Sequence, residues 1–388
     1  MDLRLGLSLS LTGRYAAMGQ QAAAAIRQFV ADTNAGDGVI VDGTRHDLTL
    51  DCLDDESRAD RATAIYRDLC FTRRCDLLFG PYSSGLVRAV APLADQAGML
   101  LINHGGADDT LHDHGYRMVV SILTPASEYL AGFVDLLATL KFWRKRLALA
   151  VAPTPFADTI AAGVAQALAL RRVWLHGVRL RLKYRGKFDS DRTPDTLSRA
   201  LRRNRINAFA SAGSYAFDLA MMRFAVAAHH SIPVLACVAA GVTRFYDDLG
   251  DDAEGIVGPS QWEPQLDLRP ELGPTPIDFA RRIGSAASDY PAAQIYAAGL
   301  LTLAALRASG SLDQTKLRAA FADLRTTTLF GDFAVDRVTG RQIGHKLLLV
   351  QWHEGRKQII EPEASADSGS LAFPNRRSWM ILPPRHSS

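Results

Sequence analysis

Residues able to do chemistry sit just beyond short apolar runs in this chain. The stretch LLFGPYSSG, Leu77 to Gly85, ends such a run in a turn carrying two adjacent hydroxyls, Ser83 and Ser84. A serine attacks only when a neighbouring base takes its proton, and GPYSSG lacks the GxSxG spacing of a hydrolase elbow. His104, in MLLINHGG, holds the equivalent position after the next apolar run and could pair with Ser83, but no third residue is placed to orient it. His112 and His114, in HDH, are neighbours at i and i+2, which face apart on a helix. That stretch reads as a solvated turn rather than a metal site. SLTGRYAAMGQ has glycines six apart and no GxGxxG, though it opens a helix whose first amides can receive an anion. His229 and His230 close a helix, where a cation interacts well with the terminal carbonyls. The cysteines, Cys52, Cys70, Cys75 and Cys237, form no CxxC and no His–Cys zinc spacing. Cys70 and Cys75 flank a helix-to-strand turn; they could pair in an oxidising compartment or remain buried thiols. The census points to no catalysis, no metal and no cofactor. Hydroxyls at a strand end, beside a helix N-terminus, donate to an anion without activation. The chemistry is therefore recognition, although Ser83 could equally serve as the N-cap of the helix that follows.

Bulk properties agree with a globular binder. The chain has 388 residues, which suggests two domains, and 48% of them are apolar, enough for real cores. Its 44 basic and 41 acidic residues balance to +3, which argues against a nucleic-acid partner. The densest basic run, Leu170 to Phe188, reads as a helix end and a strand with outward Arg and Lys. No run of about 18 apolar residues occurs, so no membrane-spanning helix is expected. MDLRLGLSLS reads as a first strand, not a signal peptide. Either the protein works in the cytoplasm or Met1 replaces a leader.

The elements that must position these residues alternate from the start. LRLGLSLSL, HDLTLDCLDD, CDLLFG and MLLINHGG are short apolar strands; GQQAAAAIRQFVADTNA, SRADRATAIYRDLCF and GLVRAVAPLADQAG are helices between them. The pattern restarts with RLALAVAP and runs through INAFASAGS to IPVLACVAAG, with one helix capped near Thr193. Short strands separated by helices imply parallel βαβ units with both sheet faces covered, so two doubly wound α/β halves are predicted. A Pro- and Gly-rich loop around Trp262 follows, then two helices, the second holding Tyr296 as a core residue. TLFGDFAVDRVTG and HKLLLVQWHEGRKQIIEP read as an antiparallel hairpin pair, and the tail from Glu363 as a surface segment. In such sheets ligands bind beyond the carboxyl ends of the strands. The residues placed there include Thr12 to Tyr15, Tyr82 to Ser84, Asn103 to Gly105, Thr154, Phe156, Ser214, Tyr215 and Val238 to Gly241.

LSLTGRYAAMGQQAAAAIRQFVADTNA, LDDESRADRATAIYRDL, LLFGPYSSGLVRAVAPLADQAGMLLIN and GDDAEGIV, in that order, resemble the type I periplasmic substrate-binding proteins of ABC transporters, of the branched-chain amino acid (Leu/Ile/Val) type. The likeness runs from about Leu3 to Pro362. It implies two lobes joined by three hinge crossovers, near Ile122, Val257–Gly258 and Thr328–Leu329. Lobe one is then 1–121 plus 258–328 and lobe two 122–257 plus 329–388, closing on a trapped ligand. It also implies a small-molecule ligand, an ABC permease as partner, an extracytoplasmic site of action and a monomer. The alternative on the same fold is a cytoplasmic amide-type ligand sensor.

Carried over residue by residue, the resemblance makes Ser83 and Ser84 the hydroxyls that hold a ligand carboxylate. It assigns the amides of the Asn103–Gly106 loop, including His104 and Gly105, to the same task, with Ala107 where a Thr hydroxyl is expected. Phe156 falls on a position often Tyr, and Tyr215 or Ser214 on an aromatic wall position; Arg14, Tyr15 and Tyr82 are added from their strand-end placement, and Trp262 either closes over the ligand or anchors its loop. The acid that pairs with a ligand ammonium belongs between Val238 and Ala240, around Ala239, where this chain has Val-Ala-Ala. Asp218 or Asp108 would have to substitute. An aromatic-rich, acid-poor cleft favours an amino acid-like solute, an aromatic carboxylate or an amide.

Overall fold

Each apolar run bounded by Gly, Pro or Asn becomes a short strand, and each amphipathic run a helix on its face. The computed structural model describes residues 2–140, 145–170, 181–188, 194–227, 232–284 and 289–362. The cap near Thr193, the His229–His230 pair, most of the basic run and the tail from Glu363 lie outside these residues. The chain opens with β1 (Leu3–Leu9), α1 (Ala16–Ala35), β2 (Val39–Val41), β3 (Thr44–His46), β4 (Leu48–Asp54) and α2 (Ala59–Arg67). It continues with β5 (Leu77–Phe79), α3 (Ser84–Ala97), β6 (Leu101–Asn103) and β7 (Val119–Ser121). The β2–β3 hairpin turns on Asp42 and Gly43, at φ 48° and 74°. That is the Asp-Gly signature of a two-residue turn, and the sequence reading passed over it.

The plan then repeats in α4 (Ala131–Thr139), β8 (Arg146–Val151), α5 (Pro155–Leu170), β9 (Arg181–Lys187), α6 (Pro194–Asn204) and β10 (Ala208–Ala212). It closes with α7 (Tyr215–Ala227), β11 (Val234–Cys237), α8 (Arg244–Leu249) and β12 (Val257–Ser260). After these come α9 (Pro276–Ile283), α10 (Tyr290–Ser309), α11 (Gln314–Asp323), the hairpin β13 (Thr326–Thr328) and β14 (Gly331–Phe333), and the hairpin β15 (Leu348–His353) and β16 (Arg356–Glu361). No single described helix is long and apolar enough to cross a membrane.

The chain divides into two units. The described residues up to Pro125, with Gln261–Lys346, form the first; Ala126–Ser260 and the described residues from Leu347 form the second. The first holds a parallel sheet in the order β4-β1-β5-β6-β7. Counted along the chain, that order is 2-1-3-4-5. The second repeats it in β9-β8-β10-β11-β12, all parallel, and extends it beyond β12 with the antiparallel pair β15 and β16. One face of the first sheet is sealed by Tyr66, Leu69, Leu86 and Val90 from α2, its continuation and α3. On another side α1 meets α10, where Phe29 lies edge-on to Tyr296 at 5.7 Å and Tyr296 is 4% exposed. Burying each such side chain contributes about 1.5–3 kcal/mol.

The third crossover lies later than expected. Residues 329–346, assigned in advance to lobe two, belong to the first unit. The reason is local. The Trp262 indole donates to Leu329 O at 2.8 Å, Phe330 stacks on His345 at 4.4 Å, and Gln342 Nε2 donates to Ile122 O at 3.0 Å. The chain is stitched down until β15 begins. Conversely, 122–125 stays with the first unit and 258–260 with the second, as the end of β12. All four cysteines are free thiols, and Cys70, Cys75 and Cys237 are buried.

Candidate functional site

A parallel sheet ordered 2-1-3-4-5 sends its chain in opposite directions after strands one and three, which opens a crevice at their carboxyl ends. In the first unit those strands are β1 and β5, so residues 10–15 and 80–84 face each other. Tyr15 and Tyr82 meet edge to face at 6.2 Å, and the Arg14 guanidinium lies 4.7 Å above the Tyr15 ring. The Tyr82 hydroxyl shares a 2.8 Å hydrogen bond with that of Tyr290, at the start of α10. Burial, then the charge and hydrogen bond of Tyr82, raise the Tyr290 phenol well above its ordinary range.

The turn that carries Arg14 and Tyr15 is held by a motif the sequence reading quoted but gave no role. Asp54 Oδ1 accepts from the amides of Leu11 and Thr12 at 2.9 and 3.3 Å, and its Oδ2 accepts from the Thr12 hydroxyl at 2.8 Å. Asp55, wholly buried, takes the hydroxyls of Ser8 and Ser10 at 2.7 and 2.6 Å. Ser57 Oγ accepts from Tyr15 N at 3.1 Å and donates to Thr12 O at 2.8 Å. Gly13 sits at φ 81°, where an added Cβ would meet the Glu56 carbonyl oxygen at 2.6 Å. The signal was available: an acid-rich DDES directly after a strand supplies acceptors to a neighbouring strand-end turn.

Ser83 and Ser84 divide the two roles proposed for them. Ser83 is the N-cap of α3, accepting from Leu86 N at 3.4 Å, and stands at φ 108° and ψ 144°, a region costly for any residue but glycine. Its own amide donates to Gly105 O at 3.1 Å. The Ser84 oxygen instead accepts from Ala107 N and Asp108 N, at 3.1 and 3.2 Å. With both lone pairs engaged, the Ser84 hydroxyl is left as a donor.

The loop after β6 is bracketed from within. Asn103 Oδ1 accepts from Gly105 N and Gly106 N at 3.2 and 2.8 Å; its Nδ2 donates to Gly106 O at 2.7 Å and to Ser121 Oγ at 2.8 Å. The amides of 105–108 are thus already bonded inside the first unit, and Asn103 is their frame. Gly105 is required by space: a Cβ would lie 2.6 Å from Pro81 O and 2.7 Å from Tyr82 Cα. His104 is wholly buried with neither ring nitrogen hydrogen-bonded, and burial lowers it to about 4, against the Gly80 backbone. Asp108 is ion-paired with Arg88, one turn beyond Ser84, and its Oδ1 accepts from Thr110.

Trp262 is an anchor. Its ring is fully buried, edge-on to Phe279 at 5.9 Å, with the indole nitrogen spent on Leu329 O. The hydrogen-bond demand of a buried indole, met by a carbonyl of its own unit, removes it from any lid role.

The second unit repeats the crevice at the ends of β8 and β10, where Ala152 N donates to Ala212 O at 2.9 Å. Phe156, in the first turn of α5, lies edge-on to Tyr129 at 5.8 Å. Ser214 caps α7 by accepting from Phe217 N at 3.3 Å. Tyr215 reaches α8: its hydroxyl donates to Asp248 at 2.6 Å, and Arg244 lies 5.5 Å above its ring. Burial, then the Asp248 hydrogen bond, raise its phenol. Ala239 N donates to Asp218 Oδ2 at 3.0 Å, and Asp218 Oδ1 accepts from Ser211 Oγ at 2.8 Å. Asp218 is wholly buried and pushed up to about 7 by desolvation. Among the described residues no group of three His, Cys, Asp or Glu is disposed to hold a metal ion.

A family profile described as periplasmic binding protein matches residues 2–357. The chain belongs to that family. Its fold is the type I form of the periplasmic binding proteins. A leucine-binding protein from Thermotoga maritima is similar over 92% of this chain and 97% of its own, with a TM-score of 0.75 at 15% identity. A putative branched-chain amino acid ABC transporter protein from Rhodospirillum rubrum covers 93% and 100%, with a TM-score of 0.69 at 22% identity. An ABC transporter solute-binding protein from R. palustris, in complex with benzoate, covers 93% and 96%, with a TM-score of 0.74 at 18% identity. These likenesses establish architecture; the ligand must be argued from this chain's own residues.

Proposed function

We propose that this protein is the solute-binding component of an ABC importer and that its solute is a small organic carboxylate without an ammonium group. The observation that carries the reading is the Ser84 hydroxyl, whose oxygen is filled by the amides of Ala107 and Asp108. It is thereby turned into a donor at the end of β5. A donor beside the first turn of α3 suits an anion. Arg14, Tyr15 and Tyr82 add a cation and two rings at the same switch point.

The acids argue against a cationic group. Asp108 is neutralised by Arg88, Asp218 is buried under Ser211 and Ala239, and the expected acid position holds Val238, Ala239 and Ala240. An ammonium desolvated there without a counter-charge would cost several kcal/mol. Benzoate, 4-hydroxybenzoate and leucine, bound by proteins of this fold, are the natural probes. The protein binds and releases its solute unchanged, working outside the cytoplasm with a permease as partner. Mass spectrometry of solute released from protein purified without denaturant tests this: a carboxylic acid lacking an amine supports it, and an amino acid or amine refutes it.

A further inference from the structure

A line of hydrogen bonds runs from a peptide carbonyl to the loop that feeds Ser84. His112 Nδ1 lies 2.9 Å from Thr339 O, and its Nε2 lies 2.9 Å from the Ser121 hydroxyl. A carbonyl only accepts, so Nδ1 carries the hydrogen; in the neutral ring Nε2 must then accept. Ser121 therefore donates to Nε2, and its oxygen accepts from Asn103 Nδ2 at 2.8 Å. Asn103 spends its other amide hydrogen on Gly106 O and its oxygen on the amides of Gly105 and Gly106. The Thr339 carbonyl at one end and the amides of Gly105 and Gly106 at the other thus fix the same sense of donors and acceptors along the line.

We propose that His112 is a positioning residue for the solute site: as the neutral Nδ1–H tautomer it holds the Asn103–Asp108 loop in register through Ser121 and Asn103. The inference rests on the reading that this loop and Ser84 face the solute. Protonating His112 would aim a second donor at the Ser121 oxygen and deprive the Ser121 proton of its acceptor. Burial disfavours that state; the Thr339 hydrogen bond opposes burial, Arg341 adds to it, and Asp109 and Asp113 act against it. Arg341 is itself paired with Asp109 at 2.7 Å. On the far side Asp336 fixes the turn that presents Thr339, accepting its amide at 2.7 Å and its hydroxyl at 2.8 Å. Asp108, on the loop itself, is paired with Arg88. His112, Ser121, Gly106 and Arg341 line one small crevice.

The test is nuclear magnetic resonance of protein labelled with nitrogen-15. The expected result is a neutral Nδ1–H ring for His112 at about pH 7. His112→Ala should speed amide exchange at Gly105 and Gly106 about fivefold to tenfold, the equivalent of one net hydrogen bond. His112→Gln keeps a donor and an acceptor but does not titrate. It should restore protection and abolish the acid-induced loosening of those amides. An Nε2–H tautomer, or unchanged exchange in His112→Ala, overturns the proposal; if His112→Ala does not fold, the tautomer and the Gln variant decide. Benzoate titration separates the two readings. If Ser84→Ala leaves affinity unchanged, the solute reading fails. If Ser84→Ala weakens binding and His112→Ala does not, only the positioning role fails.

Discussion

The carboxylate of Asp218 receives the Ala239 amide at 3.0 Å, so the acid nearest the expected ammonium site faces its own backbone. Desolvation, partly offset by Ser211 and the amides of Ala239 and Val238, sets it at about 7. A carboxyl raised in the folded state adds stability that is complete below its unfolded value of about 3.9 and fades as pH rises. The loss is complete once pH has passed the folded value of about 7. Asp218→Asn stays neutral throughout. It should therefore be at its greatest disadvantage to the wild type at about pH 4 and below and recover by about pH 8. Thermal melts of both proteins across that window check this, and a constant gap between them contradicts it.

Ser83 and Ser84 should answer differently to substitution. Ser84→Ala removes a donor to a charged group and should weaken carboxylate binding by about tenfold or more; it also leaves the amides of Ala107 and Asp108 without their acceptor and should lower stability by about 1–3 kcal/mol. Ser83→Ala removes a helix cap while keeping the strained φ of 108° and should lower stability by about 1 kcal/mol. Ser83→Gly forfeits only a few tenths of a kcal/mol of capping and relieves strain of about 1–3 kcal/mol. It should raise the melting temperature. Equal effects of the two glycine and alanine changes would show that the backbone at Ser83 stores no strain.

Two buried histidines predict the acid limb of stability. Burial lowers His104 and His345 to about 4. A histidine lowered in the folded state contributes stability present above its unfolded value of about 6.5 and lost as pH falls through the folded value of about 4. His345 is also bonded, to the Thr124 hydroxyl at 2.6 Å and to Phe330 O at 2.8 Å, whereas His104 is not. His104→Phe should therefore flatten the acid limb at little cost at neutral pH. His345→Phe should flatten it while costing about 1–3 kcal/mol for the orphaned partners. Urea unfolding at several pH values reads both, and a steeper acid limb in either variant contradicts the account.

Trp262→Phe leaves Leu329 O without its indole donor. The variant should lose about 1–3 kcal/mol of stability and keep its affinity for benzoate. Lost affinity in a variant of normal stability would return Trp262 to the site.

The strand ends were legible because each short apolar strand stops at a polar turn that opens a helix, and that pattern alone locates Tyr15, Tyr82, Ser84 and Asn103. What those residues touch was not legible. Ser83 and Ser84 are adjacent, but their roles separate on one backbone angle and on amides at 107 and 108, more than twenty residues on. Trp262 follows a crossover, as a lid residue would, and only the packing of Phe279 and Leu329 shows it buried. The third crossover was misjudged because Thr328–Leu329 ends a strand, while the stacking of Phe330 on His345 carries the chain on to Lys346. Asp54 and Ser57 were visible as letters, yet their work is tertiary: they shape a turn more than forty residues earlier.

The central claim is that this binding protein takes a carboxylate and refuses an ammonium. Parallel calorimetric titration of the purified protein with benzoate, 4-hydroxybenzoate and leucine tests it most directly. The account predicts heat of binding from a benzoate and an affinity for leucine at least about a hundredfold weaker, the equivalent of roughly 3 kcal/mol for an unpaired ammonium. Leucine binding as tightly as the benzoates, or neither benzoate binding at all, would contradict it.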